Sequence, residues 1–94
     1  MEIELDLSRR CIETEIRRQY NRALSGYFRA DRSARERLER IIALTRLALE
    51  SLDFNHLRST FPPLAGRSGA GVRLTEKNGR AVITLDGEVV WPEG

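Results

Sequence analysis

Two dipeptides in the C-terminal third, Asn78-Gly79 and Asp86-Gly87, constrain the fold of this chain more than any other feature. Both favour type I′ turns, in which each central residue takes a positive φ, and both lie between short strand-forming runs. The runs are Val72–Glu76, Arg80–Leu85 and Glu88–Trp91, so the spacing predicts a three-stranded antiparallel meander. Two-residue loops also set the register: position 74 faces 83, 72 faces 85, and 83 faces 90. One face then collects Val72, Leu74, Ala81, Ile83, Leu85 and Val90, which another layer must cover. The other face collects Arg73, Thr75, Lys77, Arg80 and Thr84, together with Val82, Val89 and Trp91. This register puts Trp91 opposite Val82 on the mostly polar side.

The covering layer is helical. In Leu38–Leu52 (LERIIALTRLALESL) apolar residues recur at Leu38, Ile41, Ile42, Ala48, Leu49 and Leu52. Leu44 and Leu47 add a flanking stripe, so this helix is expected at the centre of the core, covered on two sides. Ser33 and Glu36 match a capping box at its start. Upstream, Ile12, Ile16, Tyr20, Ala23, Leu24, Tyr27 and Phe28 mark one face of a helix beginning near Ser8, with Cys11 beside it. Ser8 or Asp6 is the expected cap, and Ser25-Gly26 weakens the last turn. The short link Arg29–Arg32 makes the two helices an antiparallel hairpin. Glu13–Arg17 and Glu36–Arg40 are spaced as (i, i+4) ion pairs, acid first. Met1–Leu7 alternates, with Ile3, Leu5 and Leu7 against Glu2, Glu4 and Asp6, which reads as a strand, an extension of the helix being the competing reading. Asp53 can cap a short third helical segment from Phe54 to about Ser59, ended by Pro62-Pro63, and Gly66–Gly71 reads as a flexible connector.

With 94 residues there is room for one core. The reading is a single two-layer α+β domain over residues 1–94, with an antiparallel helical hairpin packed on a C-terminal three-stranded meander and an N-terminal strand added. Residues 8–59 form the helical part, 60–71 a Gly/Pro-rich connector and 72–91 the meander. In topology alone this order is similar to the small basic ribonuclease toxins of toxin–antitoxin systems. Those toxins carry basic and aromatic catalytic residues on the sheet near the C-terminus, whereas this chain ends VVWPEG with no histidine, lysine or arginine after Arg80.

The net charge of +2 is unevenly spread. Residues 1–7 carry −3, residues 8–52 carry 11 Arg against six acids, and residues 53–94 balance. The candidate nucleic-acid contacts are therefore the hairpin arginines: Arg9, Arg10, Arg17, Arg18 and Arg22 on the first helix, Arg32 and Arg35 at the start of the second, with Arg37 and Arg40 following. The plainer reading is a solvated face interlaced with Glu13, Glu15, Glu36 and Glu39. What separates the two is whether the arginines form one free patch or are each paired. The candidate protein interface is Trp91, Val82 and Val89 on the sheet with Leu44 and Leu47 on the second helix.

No motif here identifies a reaction. Gly66-x-x-Gly69-x-Gly71 leads into a strand rather than a helix and has no adjoining lysine, so it is a linker rather than a phosphate loop. Asp53, His56 and Ser59 sit within seven residues, whereas catalytic triads draw on elements distant in sequence. Cys11 is expected as a small core residue. One cysteine and one histidine argue against a structural zinc site within the chain, and a lone cysteine fits a reducing cytoplasm. No cofactor, metal or membrane span is expected. The leading functional expectation is a non-enzymatic protein–protein interaction module, as a homodimer or an assembly subunit. The alternative is a nucleic-acid-binding protein using the hairpin arginines, and a ribonuclease toxin is a distant third.

Overall fold

A computed structural model describes residues 2–6, 11–51 and 71–91 of the chain. In order they form β1 (Glu2–Glu4), α1 (Ile12–Tyr27), α2 (Arg32–Ser51), β2 (Val72–Lys77), β3 (Arg80–Leu85) and β4 (Glu88–Trp91). The two helices pack on one antiparallel sheet of order β1-β2-β3-β4, so the fold is the expected α+β one with the N-terminal strand present. The expected third helical segment, most of the connector, Leu7 and Leu52 lie outside the described residues.

The turn dipeptides act as their chemistry requires. Asn78 and Gly79 have φ of 53° and 76°, Asp86 and Gly87 of 52° and 89°, so each turn has two positive-φ residues. Leu74 faces Ile83 and Val72 faces Leu85, as the loop lengths dictate. β1 joins the other side of β2 with Ile3 opposite Leu74, and its alternation buries Ile3 and Leu5 while Glu2 and Glu4 stay exposed.

The β3–β4 register differs from the regular one. Thr84 faces Val89, but Ile83 faces Trp91, so Val90 is an extra residue in a β-bulge. The bulge brings Trp91 onto the helix-facing side, where it is 9% exposed within the core cluster. Burying an indole removes about 200 Å² from water, worth roughly 4–6 kcal/mol, against the 0.5–1.5 kcal/mol of a lost ladder bond. Trp91 is thus core, not an anchor on the polar face.

The core is built from Ile3 and Leu5, Ile12 and Ile16, Leu44 and Ala48, and the inward residues of the meander. α2 touches α1 on one side and β2 and β3 on the other, as its double stripe implies. Thr45 is fully buried in mid-helix, and its hydroxyl donates to the Ile41 and Ile42 carbonyls at 2.7 and 3.1 Å. Ile42 is only half-buried, away from the cluster.

The helix starts also differ from the capping motifs. α2 begins at Arg32, and its cap is Asp31: the carboxylate accepts from the Ala34 amide (2.9 Å) and the carbonyl from Arg35 (2.9 Å). An acidic cap satisfies the free amides and complements the helix dipole, so the helix starts before Ser33, which falls inside its first turn. α1 begins after Cys11, whose extended backbone caps it without a side-chain bond to a helix amide. Cys11 is half-buried, its Sγ 3.0 Å from the Thr14 hydroxyl, rather than a core residue.

Candidate functional site

The most exposed large apolar side chain among the described residues is Phe28, at 76%. It caps the C-terminal end of α1, at the tip of the hairpin. Taking 100° per residue from Ile16, Phe28 lies about 120° around the helix, off the buried stripe that Ile12, Ile16 and Ala23 define. Leu24, one turn earlier, is 36% exposed and adds to the same apolar spot.

Phe28 stands on a fixed support. Its ring meets Tyr27 edge to face at 5.5 Å. Tyr27 donates its hydroxyl proton to Glu39 at 2.9 Å, which ties the end of α1 to α2. That bond to a carboxylate raises the phenol above its ordinary 10.0, so Tyr27 stays neutral. Arg35 reaches back across the hairpin: its guanidinium lies 5.6 Å from the Tyr27 ring centre, and its Nε donates to the Tyr27 carbonyl at 3.3 Å.

The arginines divide into two groups. On α1, Arg17 pairs with Glu13 at 3.2 Å, and Arg18 grips Glu15 through Nε (2.6 Å) and Nη2 (3.1 Å). Glu15 is fully buried and also accepts the Asp6 amide at 2.7 Å, so this pair locks the chain leaving β1 onto α1. Burial pushes the Glu15 carboxyl up, but the Arg18 guanidinium and the Asp6 amide outweigh it and hold the group below its ordinary 4.5. The same bond raises Arg18. Arg18 is therefore structural. Arg46 donates to the Tyr20 hydroxyl at 3.4 Å, and Arg73 lies 3.9 Å from Glu2. Among the described residues, Arg22, Arg29, Arg32, Arg37 and Arg40 make no ion pair, and the expected Glu36–Arg40 pair does not form. Within the described hairpin these arginines run from the middle of α1 through the tip into the first half of α2, and Lys77 and Arg80 at the β2–β3 turn make no ion pair among the described residues either.

The other candidate residues fall elsewhere. Leu44 is in the core, and Leu47 is half-buried against it. Val82 is 7% exposed on the sheet face away from the helices, and Val89 on that face is 41% exposed. Arg9, Arg10, Asp53, His56 and Ser59 lie outside the described residues. No described helix is long and apolar enough to cross a membrane.

A protein-family model matches residues 1–87. Neither a curated protein nor a solved structure matches the chain.

Proposed function

We propose that this chain, which belongs to the family matched over residues 1–87, is a non-enzymatic protein–protein interaction module whose contact surface is the hairpin tip. The observation that carries this reading is Phe28, 76% exposed yet held by the anchored Tyr27 ring. A rigid, solvated aromatic costs little entropy to bind with and is the kind of group that dominates interface energetics. The partner is acidic. Residues 22–40 hold six arginines against Asp31, Glu36 and Glu39, so two tips of this chain would repel one another. A lone cysteine fits a reducing cytoplasm as the setting.

A photo-crosslinking amino acid in place of Phe28, with Asn21 on α1 as the control position, tests this in cells of the native source. A discrete crosslinked protein at position 28 and none at 21 is the expected result. Equal yields at both positions refute a specific tip surface.

The second reading is single-stranded nucleic acid, with a base stacked on Phe28 and phosphates on the unpaired arginines. It is favoured by Arg22, Arg29, Arg32, Arg37 and Arg40 having no carboxylate partners among the described residues. Labelled nucleic acid recovered at position 28 instead of protein would select it.

A further inference from the structure

A cleft of about 630 Å³ opens between β1 and the two helices, within the size range of small-molecule sites. Its floor is apolar: Ile3 from β1, Ala23 and Gly26 from α1, Leu38 and Ile41 from α2. The small residues on α1 make the hollow, for a Cβ added at Gly26 would already stand 3.7 Å from Leu38 Cδ1. One rim carries two cations from different helices, Arg22 and Arg37, both exposed and without an ion pair among the described residues. The strand contributes Glu2 and Glu4 to the lining. A ligand's negative group is thus drawn to the helix rim and repelled from the strand.

Other occupants fit less well. β1 is an edge of the described sheet, but Gln19 Nε2 already donates to its Glu4 carbonyl at 3.3 Å, occupying an acceptor an added strand would use. A second copy paired antiparallel on this edge would lay its helices on the same side and gather four arginines.

We infer that the cleft binds an organic anion with an apolar body, a medium-chain carboxylate, whose head lies between Arg22 and Arg37 and whose chain covers Ile3, Ala23, Gly26, Leu38 and Ile41. The cleft shares Arg22 and Arg37 with the basic tip but does not include Phe28, so decanoate binding and the Phe28 crosslink can fail independently.

Calorimetry on the full chain with decanoate, decanol and decyltrimethylammonium, each below its micelle concentration, tests the inference. Decanoate should bind most tightly and the ammonium least. Amide shifts in NMR spectra should centre on Ala23, Gly26 and Leu38. The double variant Arg22→Gln/Arg37→Gln should melt like the parent chain and bind decanoate at least about tenfold more weakly. Gly26→Leu should block binding by filling the hollow, and the shift map stands independently if that variant does not fold. Decanol binding as tightly as decanoate, affinity of the double variant within twofold of the parent, or shifts centred on Phe28 would each overturn it. So would recruitment to phosphatidylglycerol vesicles without binding of free decanoate.

Discussion

Replacing Glu15 with glutamine alters one atom of a buried cluster and nearly nothing of its shape. Glu15 Oε2 accepts from Asp6 N (2.7 Å), Arg18 Nη2 (3.1 Å) and Gln19 Nε2 (3.4 Å), while among the described residues Oε1 accepts from Arg18 Nε at 2.6 Å. The glutamine oxygen takes the Oε2 position, because three donors converge there. Its NH₂ then faces Arg18 Nε, donor against donor. The loss is one charge-assisted bond and the ion pair, about 1.5–3 kcal/mol. Arg18 is 30% exposed, so its freed guanidinium remains partly solvated and the cost settles near 2 kcal/mol. For a domain of this size that lowers Tm by roughly 8–16 °C. The loss also depends on pH. Unfolded Glu15 takes up its proton near 4.5 and folded Glu15 at a lower pH, so between the two the unfolded state holds more protons. The carboxylate's contribution is therefore present above 4.5 and fades as pH falls through the folded value. Urea titrations of both proteins from about pH 7 to about pH 2 measure this difference. A gap below about 0.5 kcal/mol at neutral pH, or one that does not narrow in acid, would refute the reasoning.

Gly87→Val should destabilise the sheet by about 1–2 kcal/mol from backbone strain alone, because nothing lies within 4 Å of its added Cβ; an unchanged melt would contradict the turn assignment. Deleting Val90 leaves Trp91 next in line to face Ile83 in a regular ladder, so the shortened chain should fold with its tryptophan emission still that of a buried indole. Ala48→Asp should abolish folding, as it puts an unpaired charge at a fully buried site, while Ile42→Asp at its half-buried site should leave a cooperative melt. If Arg22, Arg29, Arg32, Arg37 and Arg40 all engage phosphates, log affinity for a single strand should fall with log salt at a slope of roughly −3.5, and anisotropy without measurable single-strand binding at low salt would end the nucleic-acid reading.

The meander and its inward face were legible because two-residue loops leave one register per turn, and the paired glycines can be recognised without tertiary information. The bulge at Val90 was not, since it follows from the gain of burying Trp91 beneath helices that local pattern cannot position. Asp31 rather than the Ser33–Glu36 box starts α2, because its carboxylate accepts the Ala34 amide and complements the helix dipole. Glu15 looks like any charged helix residue until the Asp6 amide folds onto it. Phe28 was visible in principle, for its angle around α1 departs from the Ile12–Ile16–Ala23 stripe.

β1 is synthesised well before its partner β2, which follows about 70 residues later. At 5–20 residues per second the ribosome delivers that partner some 4–14 s after β1. The helical hairpin, whose contacts are local, can form within microseconds to milliseconds and will wait for the sheet. During that interval the strand Glu2-Ile3-Glu4 is unpaired, and its flanking carboxylates act as gatekeepers against association with neighbouring nascent chains. Exchanging Glu2 and Glu4 for threonine would raise β-propensity and leave the finished fold intact, but should lower the soluble yield during synthesis more than it changes the stability of the purified protein.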